Sequence, residues 1–324
     1  MSDQTTPVAV LSRSFSKQPT LRAELAARWG NVVFNDGDTT LSGEALTGFL
    51  HGKTHAVVAL EKIDDATLAA LPDLKVIAKY GVGCDNIDLA ACARRGIKVG
   101  WTGGVNRLSV AELTLSLAIA ALRRVGEGML QVRGGGWKQL QGRQLSGRTV
   151  GLVGFGHVWQ EVARLLAPFH CTILAHDIRD MSGPAAALGA TLATLDKVLA
   201  QSDVVSLHLP STAATRHIID PAALGRMRQD AVLLNTARGG VIDDEALYEA
   251  LSSGRLAAAA LDVLEVEPPT DLRLIGLPNV IVTPHIGGSA QEAVLAMGRA
   301  AIEGLETAGD PLSLIPSYLT SQAG

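Results

Sequence analysis

The second half of the sequence contains three side chains whose types suit reduction of a carbonyl group beside a carboxylate. They are Arg238, Glu267 and His285, each in a short segment after an apolar run. Arginine suits a carboxylate because its planar guanidinium donates paired hydrogen bonds. Histidine suits proton transfer because its pKa lies near neutrality, and an adjacent carboxylate stabilises its charged form. Hydride addition to a 2-oxo acid needs this set, although each residue alone also fits an ordinary surface role.

A glycine turn precedes these segments. The apolar stretch 149–153 runs into Gly154 and Gly156, and a helical pattern follows. In dinucleotide-binding loops, such glycines allow a tight turn and close approach of the pyrophosphate to a helix N-terminus. Asp177 ends the next apolar run, where an acid binds ribose hydroxyls and repels a 2′-phosphate. The pattern therefore favours NAD over NADP, although Arg179 could soften that preference.

One position departs from this fingerprint. Trp159 occupies the place of the third glycine, which normally allows close packing of helix against strand. Two interpretations are open. Trp159 either fills a gap in the helix–sheet interface, or it narrows the pyrophosphate site and alters cofactor binding.

Composition limits the class of protein. The chain has 324 residues, of which 47% are hydrophobic and only 4% aromatic, so two domains with aliphatic cores are expected. The formal net charge is −4 and no basic run occurs, which argues against nucleic-acid and membrane partners. Cys84, Cys92 and Cys171 form no metal or disulfide pattern, so we expect no metal. With no signal-like N-terminus or long apolar run, a cytoplasmic protein is expected.

Short apolar runs alternate with helical patterns in two blocks joined near residue 102. This alternation predicts an α/β fold with two doubly wound parallel-sheet domains (Rossmann/flavodoxin-like) and an interdomain cleft. The substrate-binding domain is predicted at 1–102 plus about 291–324, and the NAD-binding Rossmann domain at 103–290. Strands are predicted at 7–11, 31–34, 56–60, 74–79, 97–100, 149–153, 172–176, 204–209, 231–235, 257–262 and 280–283.

The junction between the blocks carries two more specific predictions. Residues 109–124 have a helical pattern, and Ser109 with Glu112 three residues later predicts a capping box at its start. The glycine-rich stretch 126–136 predicts a loop.

Several motifs together resemble one family. They are the segments 79–88, 106–112, 145–151 and 207–210, with the three segments that contain the arginine, glutamate and histidine. The chain is similar to the D-isomer-specific 2-hydroxyacid dehydrogenases, especially the phosphoglycerate-dehydrogenase-like branch. The resemblance implies hydride transfer between NAD(H) and C2 of a small D-2-hydroxy acid or 2-oxo acid, and a homodimer.

The resemblance also implies roles for individual residues. Arg238 corresponds to the arginine that orients the substrate, Glu267 to the acid paired with histidine, and His285 to the proton donor. Substrate binding is expected at Val82, Gly83, Arg238 and His285, although the glycine-rich loop at 79–84 also fits a plain strand–helix connection. Cofactor binding is expected at Gly154, Gly156, His157, Val158, Asp177, Leu209, Pro210, Thr236, Ala237, Arg238, Asp262, His285, Gly287 and Gly288.

Two departures from the family pattern leave an alternative open. Relatives usually have glycine where Trp159 and His170 stand. His170 must adopt the left-handed conformation that glycine favours, or the helix must end differently. Trp159 mildly favours a non-enzymatic NAD-binding sensor or corepressor-like protein on the same fold, whereas the intact trio favours an enzyme. The acid that serves as substrate is not determined by the sequence.

Overall fold

The structure is a computed structural model, and it describes residues 3–314. Two compact units divide the chain: one runs to Asn106 and resumes at Ser289, and the other is Arg107–Gly288. The divisions predicted from sequence lie at 102/103 and near 290/291, and residues 315–324 of the predicted first domain lie outside the described residues. Within the described residues, no helix has the length and apolar content needed to cross a bilayer.

Strands and helices alternate through both units. The strands are β1 (Asp3–Val10), β2 (Trp29–Phe34), β3 (His55–Val58), β4 (Val76–Lys79), β5 (Lys98–Gly100), β6 (Thr149–Val153), β7 (Thr172–His176), β8 (Ala190–Leu192), β9 (Val204–Leu207), β10 (Val232–Asn235), β11 (Ala258–Leu261) and β12 (Val280–Val282). The helices are α1 (Arg13–Ser16), α2 (Pro19–Arg28), α3 (Gly43–Leu50), α4 (Asp65–Ala69), α5 (Leu89–Arg94), α6 (Arg107–Leu122), α7 (Val125–Arg133), α8 (His157–Leu166), α9 (Ser182–Ala187), α10 (Leu195–Gln201), α11 (Pro221–Arg226), α12 (Asp244–Ser252) and α13 (Gln291–Thr307).

The first unit is built on a five-stranded parallel sheet in the order β2-β1-β3-β4-β5. Its central strands are buried, as Val57 and Ile77 illustrate, because helices cover both faces. The closing helix α13 packs on this sheet, chiefly against β4 and β5. The strand order is that of flavodoxin-like doubly wound folds.

The second unit is built on a seven-stranded parallel sheet in the order β12-β11-β10-β9-β6-β7-β8. Every residue of β9, β10 and β11 is buried, which explains why these segments read as continuous apolar runs rather than alternating ones. The chain winds outward from β6 in one direction and from β9 in the other. The predicted α/β class with two doubly wound parallel sheets is therefore confirmed.

Most predicted strands differ from the observed ones by a few residues at their ends. The sequence prediction did not include α1, α9 and β8, which have four, six and three residues. Segments this short contain too few turns or alternations to give a periodic signal.

The prediction of a loop at 126–136 is wrong. Val125–Arg133 is the helix α7, which contains Gly126 and Gly128 and ends at Gly134. Glycine disfavours a helix interior by about 1 kcal/mol relative to alanine, but this does not forbid a helix. The glycines at 134–136 do lie outside it, so only the last three residues of the predicted loop are irregular.

The predicted capping box at Ser109 is also wrong. Helix α6 begins two residues earlier, at Arg107, so Ser109 lies within its first turn. The Ser109 hydroxyl donates a hydrogen bond to the carbonyl oxygen of Gly287, 2.6 Å away. That partner is far away in the sequence, so the local pattern could not reveal it.

Trp159 lies in the helix–sheet interface of the second unit. Its side chain is fully buried in the apolar core between α8 and the sheet, and it stacks on Phe155 with ring centroids 4.0 Å apart. Its indole N–H has no hydrogen-bond partner among the described residues, which is an energetic cost of this burial. Of the two interpretations of Trp159, the structure supports the one in which it fills a gap.

His170 adopts the left-handed conformation expected from its place after α8. Its φ is 53° and its ψ is 36°, and it ends a short 3₁₀ segment, Ala167–Phe169. Side chains other than glycine pay for this conformation because Cβ crowds the following carbonyl. The helix therefore ends as it would with glycine, at some conformational cost.

We expect His170→Gly to raise the free energy of unfolding by about 0.5 kcal/mol, because relief of the left-handed strain exceeds the entropic cost of glycine. Urea denaturation checks this. His51→Gly is the matched control, because His51 follows α3 with φ −57° and gains nothing from glycine. That control should lose about 0.5–1 kcal/mol. Equal losses in both variants would contradict the argument.

Candidate active site

The candidate site lies at the carboxyl edge of the seven-stranded sheet. The neighbouring strands β6 and β9 start the two opposite windings, so their carboxyl ends form the topological switch point where ligands bind in such sheets. Arg238 follows β10, Glu267 follows β11 and His285 follows β12. Parallel strands end at the same edge, so all three segments belong to one loop cluster of the second unit.

Glu267 and His285 form a hydrogen-bonded pair. The Nδ1 atom of His285 lies 2.8 Å from Oε2 of Glu267. This hydrogen bond raises the pKa of His285, against the opposing effect of burial. Burial raises the pKa of Glu267, but the bonds from His285 and from the Leu264 N–H outweigh it, so its pKa is lowered. The pair therefore favours imidazolium beside carboxylate, with Nε2 pointing away from Glu267.

The buried carboxylate of Asp262 holds the histidine segment. Its Oδ1 accepts hydrogen bonds from the Thr283 hydroxyl at 2.6 Å and from the Ile286 N–H at 2.8 Å. Its Oδ2 accepts from the Gly287 N–H at 2.7 Å, and its carbonyl oxygen accepts from the His285 N–H at 2.9 Å. His285 has φ 53°, an unfavourable conformation that these bonds on both sides maintain.

Arg238 lies close to the same pair. Its charge lowers the pKa of both Glu267 and His285, which places the guanidinium within electrostatic reach of each. Asn235 shapes its loop, since the side-chain amide donates to the Arg238 carbonyl at 2.9 Å and accepts from the Ala237 N–H at 3.1 Å. The structure thus brings the predicted trio together. Sequence patterns had assigned Asn235 no role, although an amide at the end of a buried strand is a signal for such a turn.

The glycine turn after β6 has the shape that a pyrophosphate needs. Gly154 has φ 93°, and a Cβ there would lie 2.7 Å from the carbonyl oxygen of His208. Gly156 caps α8 without a side-chain hydrogen bond, and a Cβ there would meet nothing within 4 Å. His157 and Val158 are the first helical residues, so their backbone N–H groups lie at the helix N-terminus, where the helix itself offers no acceptor. These residues fit a dinucleotide phosphate at the positive end of a ten-residue helix.

Asp177 lies directly after β7 and faces this turn. It accepts a hydrogen bond from the Phe155 N–H at 2.6 Å and forms a paired contact with Arg179, at 2.8 and 3.0 Å. Burial raises the pKa of Asp177, but these bonds outweigh it and the pKa is lowered. The carboxylate is therefore ionised, and a ribose bound there must share or replace the contacts of Arg179.

The other predicted cofactor residues lie around the same edge. The Thr236 hydroxyl is buried and lies 2.7 Å from the hydroxyl of Thr114 on α6, a residue that sequence reasoning missed. A threonine on the buried face of an apolar helix is the signal that marks it. Leu209 and Pro210 follow β9, beside the glycine turn, and Ala237, Gly287 and Gly288 belong to the loops after β10 and β12.

Val82 and Gly83 belong to the first unit, not to this loop cluster. They follow β4, at the carboxyl edge of the five-stranded sheet. The indole N–H of Trp101 donates a hydrogen bond to the Val82 carbonyl at 3.0 Å. This bond fixes one carbonyl of the loop. Their role toward a substrate stays a prediction.

The trio and the glycine turn of the candidate site fall within a match to a known family. Residues 115–287 match the D-isomer-specific 2-hydroxyacid dehydrogenase, NAD-binding domain. This chain belongs to that family. The hydroxypyruvate reductase of Thermotoga maritima is 42% identical over 247 residues, which cover 75% of this chain and 80% of that protein. The family expectation from sequence is confirmed.

Two further relatives show the range of the family. The D-3-phosphoglycerate dehydrogenase of Archaeoglobus fulgidus is 40% identical over 73% of this chain, but the match spans only 46% of that longer protein. The structure of D-lactate dehydrogenase from Aquifex aeolicus, complexed with NAD and lactic acid, is 26% identical, with a TM-score of 0.82 over 93% of this chain and 94% of that one.

The dehydrogenase family assignment decides between the two function classes. This chain is an NAD-dependent oxidoreductase of 2-hydroxy and 2-oxo acids, because the family model is an NAD-binding domain and the relatives are reductases and dehydrogenases. The alternative of a non-enzymatic sensor is not supported by these relatives.

We expect Glu267→Gln to lower the pKa of His285, because a neutral amide no longer stabilises the imidazolium. An NMR titration of the imidazole protons measures this pKa, with His285→Gln identifying the resonance. Glu245→Gln is the control, because Glu245 pairs with Arg273 on the surface of α12. An unchanged His285 pKa in Glu267→Gln would show that the pair does not set it.

Proposed function

We propose that this dehydrogenase reduces a small 2-oxo acid to the D-2-hydroxy acid with NADH, using Arg238, Glu267 and His285. The observation that carries the proposal is the 2.8 Å bond between His285 and Glu267, with the Arg238 charge acting on both. Arginine, a charged histidine and its carboxylate partner are the groups that a carbonyl beside a carboxylate needs for reduction.

The proposed reduction adds one hydride and one proton to the carbonyl group of the substrate. NADH, when bound, supplies the hydride that adds to C2. The Arg238 guanidinium binds the substrate carboxylate and polarises the carbonyl. His285 donates its Nε2 proton to the carbonyl oxygen, so the product hydroxyl carries that proton. Glu267 stays ionised throughout because its pKa is lowered, and it stabilises the imidazolium until the proton leaves.

The cofactor contacts follow from the glycine turn. We propose that the backbone around Gly154, Gly156, His157 and Val158 holds the pyrophosphate, and that Asp177 binds the ribose hydroxyls. The support is the open space at the start of α8 and the ionised carboxylate beside it. A 2′-phosphate on NADP would be repelled by that carboxylate.

The substrate is proposed only as a class. The similar proteins bear names that refer to hydroxypyruvate, 3-phosphoglycerate and lactate, and these acids share a C2 oxygen beside a carboxylate. Only their other substituent differs.

We propose that backbone groups at Val82 and Gly83 also bind the substrate carboxylate.

We expect purified enzyme to oxidise NADH with at least one of glyoxylate, pyruvate, hydroxypyruvate and phosphohydroxypyruvate. The rate should be constant below the raised pKa of His285 and fall above it, because reduction needs the protonated ring. His285→Gln should lower kcat by about 10² to 10⁴-fold. Arg238→Ala should lower kcat/KM and raise the KM for the acid.

Arg228→Ala is the control for this experiment, because Arg228 forms a surface pair with Asp230 before β10. It should retain full activity. If the wild-type enzyme oxidises NADH with no member of the panel, or if His285→Gln is fully active, the proposed chemistry is wrong.

We further propose that the enzyme is a homodimer joined through α7. This helix has no buried residue, and its apolar Met129, Leu130 and Val132 are all exposed, as is the nearby Trp137 at 86%. An isolated nine-residue helix that contains glycines is unstable unless packing supports it. A second copy of the chain carries the same apolar surface on α7. Contact between the two copies across a two-fold axis would bury both surfaces.

We expect Leu130→Asp to convert dimers to monomers in sedimentation velocity, because it places a charge in the apolar contact. Leu272→Asp is the control, since Leu272 is 61% exposed elsewhere on the second unit. A monomeric wild-type enzyme would overturn the dimer. So would a Leu130→Asp variant that sediments as the wild type does.

We propose a cytoplasmic location for the enzyme. NAD-dependent reduction draws on the NAD pool inside the cell. The free thiols of Cys92 and Cys171 are consistent with a reducing compartment.

A further inference from the structure

The side chain of Glu265, close to Glu267 in sequence, is bound by two residues that do not belong to the catalytic trio. Glu265 lies two residues before Glu267 in the same loop. The Arg216 guanidinium donates to its Oε1 at 2.6 Å, and the His217 ring nitrogen Nε2 lies 3.1 Å from its Oε2. Each oxygen therefore has its own partner. Two residues from a distant segment thus fix the orientation of this loop residue.

The backbone of His217 holds the second catalytic loop. Its N–H donates to the carbonyl oxygen of Gly240 at 2.8 Å, two residues after Arg238. One residue thus contacts the arginine loop through its backbone and the glutamate loop through its ring. His217 has φ 50°, so it stays in an unfavourable conformation while making both contacts.

The two catalytic loops also contact each other directly. A Cβ on Gly239 would lie 1.9 Å from the carbonyl oxygen of Leu264, so only glycine permits this approach. The Leu264 N–H in turn donates to Oε1 of Glu267 at 3.0 Å, and the other oxygen of Glu267 bonds His285. A displacement of Glu265 would therefore move Leu264, and with it the hydrogen bond that Leu264 donates to Glu267.

We propose that Arg216 and His217 are positioning residues for the reaction, which hold the Glu267 and Arg238 loops in register through Glu265 and Gly240. The inference rests on the proposed function and adds residues that contact neither the substrate nor the cofactor groups named above. Mutation of such supporting residues misplaces catalytic groups without removing them.

The charges around His217 come from three elements. Its Nδ1 lies 3.9 Å from Asp243 before α12, its Nε2 faces Glu265, and Asp244 interacts with it electrostatically. Arg216 precedes it in the chain. Because His285 is influenced instead by Glu267, Asp262 and Arg238, a change at His217 reaches it only through the loops.

The test combines kinetics with an NMR titration of His285 in full-length enzyme. We expect Arg216→Ala and His217→Ala to lower kcat/KM about 10- to 100-fold. The alkaline limb of the reduction profile and the His285 pKa should both fall by about half a unit, because Glu267 is less well placed. His217→Gln should recover most activity, since its amide can donate to Glu265 from the same position. Arg228→Ala should change none of these values.

A double-mutant comparison tests whether Arg216 acts through Glu265. In a Glu265→Ala background, Arg216→Ala should have no further effect on kcat/KM, because the residue through which it acts is gone. The inference is overturned if the effects multiply, if His217→Ala leaves the His285 pKa unchanged, or if His217→Gln is as impaired as His217→Ala. The NMR titration needs no turnover, so it tests the positioning role even if the wild-type enzyme is inactive. An inactive wild-type enzyme would contradict the proposed function instead. If His217→Ala does not fold, Arg216→Ala and His217→Gln still decide.

Discussion

The structure depends on one constraint, which is that parallel strands all end at the same edge of their sheet. In the second unit this brings together loops that are distant in sequence, after β6, β7, β9, β10, β11 and β12. The glycine turn and the trio are thus neighbours because of topology rather than sequence spacing. The buried strands need no polar alternation, so most of the polar site residues lie in the loops.

The loops are held by buried or shared polar groups rather than by apolar packing. Asp262 accepts hydrogen bonds from four residues, Asn235 closes the arginine loop, and Glu267 accepts from both His285 and the Leu264 N–H. Most of these donors are backbone N–H groups or short side chains, so the geometry tolerates little movement. This rigidity maintains His285 in a left-handed conformation that it would not adopt alone.

Sequence patterns predicted the α/β class, the parallel sheets and the family, because continuous apolar runs and glycine turns are local signals. They failed where distant contacts decide. Ser109 bonds Gly287 instead of capping its own helix, and α7 forms despite its glycines. The trio was evident only from motifs, since spacing alone does not show that Arg238 and His285 meet. Thr114 was missed because its partner, the Thr236 hydroxyl, becomes adjacent only on folding. Asn235 bonds the nearby Ala237 and Arg238, so its signal was local and was overlooked.

Trp159 has a consequence for spectroscopy. An indole in apolar surroundings emits at shorter wavelength than one in water, so the fully buried Trp159 and the 86% exposed Trp137 emit at different wavelengths. Indole emission overlaps the absorption of reduced nicotinamide, and Trp159 lies on the helix whose first turn we propose to bind the cofactor phosphates. Trp159 would therefore act as an intrinsic optical donor beside the proposed nucleotide site.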